Sequence, residues 1–344
     1  MISKLHFMKP VIQMVRNSIS TSVVLSCVMF CSMAVVLTGC GLPTETGTGN
    51  ITQTDSASEA TVITDSLGNQ VTLKPDARVV SVYGSFAECW LLSGGNLIGV
   101  TQDAIDERNL SLSDDIAVIG SVKEPNIEQL VALQPDYVIL SADLTPHLQL
   151  EASLKQLGIA YGYYSVDTFD DYDAMMQQFC AVNQRPDLYE ANVTAVKNQI
   201  NSVKEKVQET QNGAQNGTHE VPSVLLIRAY TGGMKAKGDD NLAGVILKEF
   251  GCHNIIDDSP SLLEDLSVEE IITKDPDYIF VLTMGDEAKA LKYMETNVLS
   301  NPSWSNLSAV QNNHYVVLPK DLFHYKPNNR WGESYEYLKE ILFP

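Results

Sequence analysis

Ile127-Glu128-Gln129-Leu130-Val131-Ala132-Leu133-Gln134-Pro135-Asp136-Tyr137-Val138-Ile139 recurs further along the chain as Val268-Glu269-Glu270-Ile271-Ile272-Thr273-Lys274-Asp275-Pro276-Asp277-Tyr278-Ile279-Phe280. In both copies a Glu precedes a Pro-Asp-Tyr by the same spacing. Each copy reads as a short amphipathic helix ended by proline, then a turn into a buried strand. The period is far too long for a solenoid, whose units are on the order of 20–50 residues. It predicts two similar α/β halves in one molecule.

Around the first copy, Thr61-Val62-Ile63-Thr64 and Val71-Thr72-Leu73 bracket Gly68-Asn69 and predict a hairpin. Arg78 to Val82, Leu97 to Val100, Tyr137 to Leu140 and Tyr161 to Val166 read as strands. Phe86 to Leu92 reads as a helix stopped by Gly94-Gly95, and Leu148 to Leu157 as a helix capped by Gly158. Around the second copy, Val224 to Ile227, Tyr278 to Leu282 and His314 to Leu318 read as strands. Leu242 to Phe250, capped by Gly251, and Trp331 to Leu342 read as helices. Such alternation predicts parallel sheets covered on both faces. Between the halves, Leu188, Val193, Val196, Ile200, Val203 and Val207 recur at helical spacing without Gly or Pro after Pro186. Two Asn-Gly pairs, at 212–213 and 216–217, end that run. The expected fold is α/β, with two Rossmann-like lobes (62–184 and 212–344) built on parallel central sheets and joined by one long α-helix (185–211).

The N-terminal stretch carries Lys4, Lys9 and Arg16, no acid before Glu45, and an apolar run from Ile19 to Val36. That is the layout of a secretory signal. Leu37-Thr38-Gly39-Cys40 closes it and resembles the lipobox of bacterial lipoproteins. The resemblance implies cleavage of residues 1–39 and lipidation of Cys40, with 40–61 as a flexible tether rich in Thr, Ser, Gly and acids. The other reading is an uncleaved membrane-spanning helix, since the run is just long enough to span. Either way the basic flank leaves the rest of the chain on the extracytoplasmic face of the membrane.

Composition narrows the function. A formal net charge of -20 over 344 residues argues against nucleic acid or an anionic bilayer as partner. Beyond Cys27, Cys31 and Cys40, only Cys89, Cys180 and Cys252 remain, widely spaced and odd in number. That is neither a disulfide framework nor a zinc pattern, so buried free thiols are expected. No nucleophile elbow, phosphate-binding glycine loop or zinc-protease helix motif occurs, so no catalytic residue is assigned and no enzyme is expected. Asp239-Asp240 reads as a cap for the helix near Asn241 rather than an acid–base pair. His147, His219, His253, His314 and His324 are scattered, which argues against a site for a bare metal ion.

Taken with Arg78-Val79-Val80-Ser81, the stretches Pro125-Asn126-Ile127-Glu128…Pro135-Asp136 and Leu266-Ser267-Val268-Glu269…Pro276-Asp277 complete a pattern. From about Val71 to its end the chain resembles the periplasmic-binding-protein family that delivers ferric siderophores, haem and cobalamin to ABC importers. The resemblance implies a class III substrate-binding protein: a stiff, monomeric, two-lobed receptor with a ligand cleft, little hinge closure and no cofactor of its own. It also implies that Glu128 and Glu269 dock onto arginines of the membrane permease, one per lobe. A first-turn Glu is favoured by the helix dipole in any case. Its recurrence in both copies is what favours docking.

Open α/β sheets bind small molecules beyond their strand carboxyl ends. Those positions hold Tyr83, Lys123, a group of Arg228, Tyr230, Lys235 and Lys237 around Gly232-Gly233, and a second group of Lys320, His324, Tyr325, Lys326 and Arg330. An acidic chain that gathers positive charge in two loops predicts an anionic ligand, or one presenting carboxylate or catecholate oxygens. Tyr83, Tyr230 and Tyr325 are available for stacking. The opposing reading makes Lys320 and Lys326 solvated surface lysines. An iron–siderophore complex is the expected ligand, with haem and cobalamin as alternatives. The family resemblance implies an aromatic for cobalamin where Val122 stands, and its absence also counts against Tyr-ligated haem. Met234 with His324 is a conceivable pair of haem-iron ligands. A lipid-anchored sensor or adhesion module without transport is the reading from another class, and a hydrolase is a poorer third.

Overall fold

The computed structural model describes residues 59–213, 221–264 and 266–344. The signal over 1–39, Cys40, nearly all of the tether, His219 and the second Asn-Gly pair lie outside the described residues.

The first half opens with a hairpin of β1 (Thr61–Thr64) and β2 (Gln70–Leu73), with Thr64 opposite Gln70. Asp65 closes its turn by accepting from Leu67 N at 2.9 Å and Asn69 N at 2.8 Å, while Gly68 takes the left-handed φ of +85°. The main elements that follow are β3 (Val79–Ser81), α1 (Gly84–Leu92), β4 (Leu97–Val100), β5 (Ala117–Val118), β6 (Gly120–Ser121), β7 (Glu124–Pro125), α2 (Ile127–Ala132), β8 (Tyr137–Ser141) and β9 (Ala160–Tyr164). Five of the strands form a parallel sheet in the order β5-β4-β3-β8-β9. Successive residues alternate between its faces, so Val79, Tyr137 and Ile139 join one core while Val80, Val138 and Leu140 join another.

Helix α3 (Phe169–Val182) was not expected from the sequence. Its many acids mask a buried stripe of Tyr172, Met175, Met176 and Phe179, and Thr168 and Asp171 form a capping box at its start. The connecting segment then runs through Pro186–Tyr189, a π-helical stretch at Glu190–Thr194, and α4 (Ala195–Gly213). Val193, Val196, Ile200, Val203 and Val207 are its buried stripe.

The second half contains β10 (Ser223–Tyr230), β11 (Gly233–Lys237), α5 (Leu242–Glu249), β12 (His253–Asn254), α6 (Val268–Lys274), β13 (Tyr278–Thr283), α7 (Glu287–Met294), β14 (Tyr315–Val317) and α8 (Trp331–Leu342). Its sheet runs β11-β10-β13-β14, with β12 beside the start of β10. It is parallel except for β11, which returns antiparallel along β10. This corrects the reading of Arg228, Tyr230, Lys235 and Lys237 as loop residues. They lie on a hairpin, with Arg228 opposite Lys235.

The repeated motif does the same work twice. Asn126 and Ser267 cap their helices by accepting from the Gln129 and Glu270 amides. Gln134 and Asp275, each just before the proline, take left-handed φ values of +50° and +43° and end the helices. The Asp136 carboxylate then accepts from Arg78 N, and that of Asp277 from Ser223 N, each at 2.8 Å. Each Asp thus ties the start of one central strand to the start of the next. The two sheets are separate, but one buried cluster runs from Val79 and Ile139 through Ile200 and Val203 to Leu226 and Phe280. A shared core of this kind opposes hinge motion.

Candidate functional site

Polar contacts between the halves come from segments that follow strand carboxyl ends. Lys326 Nζ, beyond β14, reaches Asp167 beyond β9 at 2.8 Å. Arg108, beyond β4, donates to the carbonyl of Tyr325 at 2.5 Å and of Lys326 at 3.0 Å. Ser85 Oγ donates to the Tyr325 carbonyl at 3.3 Å. Segments beyond the carboxyl ends of the two sheets therefore meet one another, and such ends are where an open α/β sheet binds ligand.

On the first lobe, Tyr83 sits between β3 and α1 with its ring 4.8 Å from Phe86 and 6.4 Å from His147. Burial, reinforced by the Asp103, Glu107 and Asp143 carboxylates and opposed by a hydrogen bond with Ser85, pushes its phenol up to about 12. Tyr83 therefore presents a neutral hydroxyl and an aromatic edge. His147 is fully buried, and its Nδ1 accepts from Ser141 N at 3.0 Å. Its Nε2–H donates to the Val122 carbonyl at 2.9 Å, a pairing that only the neutral ring satisfies at both ends. Burial lowers its pKa in agreement. The imidazole thereby pins the turn that carries the exposed Lys123.

On the second lobe, Arg228, Tyr230, Lys235 and Lys237 share one face of the β10–β11 hairpin, because facing and alternate residues point the same way. Arg228 Nε is buried with no hydrogen-bond partner. Lys235 is exposed, while Lys237 is ion-paired to Asp240. Lys320 Nζ lies 4.8 Å above the Tyr325 ring and donates to the Gly285 carbonyl at 2.6 Å. Burial, followed by the positive charges of Lys320, Arg228 and Lys326, pushes His324 down to about 4. The structure thus brings Arg228, Lys320, His324, Tyr325 and Lys326 together. Among the described residues, the His324 imidazole has no hydrogen-bond partner. On the first lobe, partial burial and then Asp103 raise the Glu107 pKa, against the lowering pull of Lys320 and Arg108.

Two sequence expectations do not fit this grouping. Arg330 is held by Glu333 at 2.8 Å and Asp321 at 2.9 Å, which leaves its guanidinium spent within its own lobe. Met234 faces the opposite side of the hairpin, opposite Ala229 and against the core of Ala236 and Leu262. It cannot act with His324 on one metal. Conversely, sequence reasoning missed Glu88, Arg108 and Asn328. Their chemistry depends on residues more than two hundred positions apart, and no local pattern announces it.

Glu128 and Glu269 are both exposed in the first turns of α2 and α6, and neither forms an ion pair among the described residues. Cys89, Cys180 and Cys252 are free thiols, the first two buried. Among the described residues no three His, Cys, Asp or Glu side chains are grouped to hold a metal ion.

A family model described as "Periplasmic binding protein" matches residues 79–322. The high-affinity heme uptake system protein IsdE of Staphylococcus aureus (strain MRSA252) is 26% identical over 206 residues, covering 59% of this chain and 66% of that protein. The structure of S. aureus IsdE complexed with heme superposes with a TM-score of 0.60 at 21% identity, over 78% of this chain and 99% of that one. S. aureus SirA complexed with staphyloferrin B gives 0.60 at 19% identity, over 82% and 98%. The petrobactin-binding protein YclQ from Bacillus subtilis gives 0.59 at 22% identity, over 83% and 97%.

Proposed function

The chain belongs to the periplasmic binding protein family, and from that premise we propose that it is the extracytoplasmic receptor of an ABC importer, capturing an anionic iron complex of the siderophore type between its lobes. The family is one of binding proteins rather than enzymes. The observation that carries the ligand class is the convergence on the neutral His324 of Arg228 and Lys320, neither of them ion-paired among the described residues, in so acidic a chain; Lys326 stands beside them but is paired with Asp167. Carboxylate or catecholate oxygens meet charge-assisted donors there, and Tyr83 and Tyr325 offer aromatic surface. The SirA and YclQ likenesses, with their siderophore ligands, support the same class.

The iron complex is cargo, so no resident cofactor is proposed. Glu128 and Glu269 are the proposed contacts with the permease, and a monomer suffices for one such contact per lobe. Leu37-Thr38-Gly39-Cys40 supports a lipid anchor. Replacing Cys40→Ser is expected to move the protein from the membrane fraction to the medium, and retention at the membrane would mean an uncleaved span.

The ligand test is a fluorescence titration with ferric staphyloferrin B, ferric petrobactin, haem and cobalamin. Trp331 is a suitable reporter, buried with its ring 6.1 Å from Phe169 of the other lobe. Saturable one-to-one quenching by a ferric siderophore is expected, and silence toward all four compounds would refute the reading. Haem is the second reading, favoured by the IsdE relative and by the unpartnered His324 imidazole. A Soret band that shifts and sharpens on mixing, and stays at the position of free haem with His324→Ala, would establish it.

A further inference from the structure

The loop that carries His324, Tyr325 and Lys326 belongs by sequence to the second lobe, yet its backbone is held by the first. Arg108, whose side chain is only 6% exposed, forms an ion pair with Glu88 and donates to the carbonyls of Tyr325 and Lys326. Ser85 Oγ donates to the same Tyr325 carbonyl. The Asn328 amide, in a residue only 1% exposed, donates to the Ser85 carbonyl at 2.9 Å and to Glu88 at 2.5 Å. Lys326 and Asn328 both occupy the left-handed region, with φ of +41° and +54°. Asparagine adopts that conformation readily, but a lysine seldom holds it unless its surroundings favour it. Here the groups that hold Lys326 and Asn328, namely Arg108, Asp167 and Ser85, lie on the other lobe.

We propose that Arg108 is a positioning residue: with Glu88 and Asn328 it clamps the 324–326 loop of the second lobe onto the first, so that separating the lobes dismantles the basic half of the site. Separating the lobes pulls the Tyr325 and Lys326 carbonyls from Arg108 and breaks the Lys326–Asp167 pair. The loop relaxes, and the cluster around Arg228 loses His324 and Lys326. The functional meaning rests on the reading of this loop as part of the ligand site, but the clamp itself can be tested without ligand.

The experiment compares the full-length mature protein with Arg108→Gln. It reads the His324 imidazole titration by NMR and amide hydrogen exchange along the chain. In Arg108→Gln the His324 titration is expected to move up from about 4 toward the ordinary 6.5 as the ring leaves its buried position. Amides of 320–330 should exchange at least tenfold faster while those of β10 and β13 keep their rates. An unchanged His324 titration in a folded variant overturns the clamp, as does acceleration spread evenly over both lobes. If Arg108→Gln does not fold, Arg108→Lys keeps the charge beside Glu88 but loses the fork to two carbonyls, and the same two readings decide. A mobile loop with unaltered binding of ferric staphyloferrin B would show that the clamp stands while the loop lies outside the ligand site.

Discussion

At the residue scale, charge alone does not identify a ligand contact; what matters is whether the charge is already used. Arg228 has a buried, unpartnered Nε, whereas Arg330 is enclosed by Glu333 and Asp321. Arg228→Ala is therefore expected to weaken ferric siderophore binding by tenfold to a hundredfold, about 1.4–3 kcal/mol. Arg330→Ala should leave affinity unchanged and cost about 1 kcal/mol of stability, since its pairs are partly exposed. Paired titrations and urea denaturation of the two variants check this. His324 supplies the pH dependence. Its folded pKa of about 4 lies below the ordinary 6.5, so between those values the unfolded chain holds a proton that the folded chain excludes. Stability therefore falls as pH drops from 6.5 toward 4. This group contributes at most about 3 kcal/mol, and less to the extent that water reaches the ring. His324→Gln should flatten that part of the urea-midpoint profile without abolishing the slope, because His147 is depressed in the same direction.

At the element scale, the repeated helix–Pro-Asp-Tyr–strand unit was readable because its parts are local. A cap, a left-handed stop, a proline and a strand-joining carboxylate all lie within one short stretch. Asp277→Ala should cost about 1–2 kcal/mol, because the Ser223 amide and hydroxyl, 2.8 and 2.6 Å away, lose a charged acceptor that water only partly replaces. Urea denaturation measures it, and Asp136→Ala should behave alike in the other lobe. The connecting helix was equally legible from its apolar spacing. Helix α3 was not, since Asp170, Asp171 and Asp173 dilute its average hydropathy although its buried stripe keeps helical spacing. Strand β11 was hidden for a different reason. Met234-Lys235-Ala236-Lys237 alternates as a strand should, but two lysines beside a Gly-Gly turn also suit a loop, and only pairing with β10 decides between them. The site was legible as a set of loops and illegible as a geometry. Nothing near Arg108 in sequence indicates that it holds Tyr325, and Glu333, three residues beyond Arg330, is the one local sign that this guanidinium is already paired while that of Arg228 is not.

At the scale of the whole molecule, two features make the lobes resist relative motion: the buried cluster that runs through the connecting helix, and the hydrogen bonds from Arg108 to the Tyr325 and Lys326 carbonyls. On the proposed reading, a receptor this stiff does not signal occupancy by closing far around its ligand, and its membrane partner is expected to recognise a nearly fixed spacing between the lobes. Glu128 and Glu269 suit that role. Both are exposed, both stand in helix first turns already capped by a neighbour, and neither carries an ion pair among the described residues. Neither carboxylate contributes a partner to the fold, so replacing both by Ala should leave stability within about 0.5 kcal/mol of the parent. Ligand affinity should also be unchanged, because both side chains lie on helices apart from the Arg228–His324 cluster. Iron uptake by cells carrying the double variant should fall to background, and each single variant should fall between, since exposed charge pairs act chiefly on encounter rate and register. The assay pairs uptake of labelled ferric siderophore with a binding titration on the purified protein. Lost affinity would move these residues from the docking face into the ligand site. Intact uptake with intact affinity would remove the docking role and favour a tethered sensor over a transport receptor.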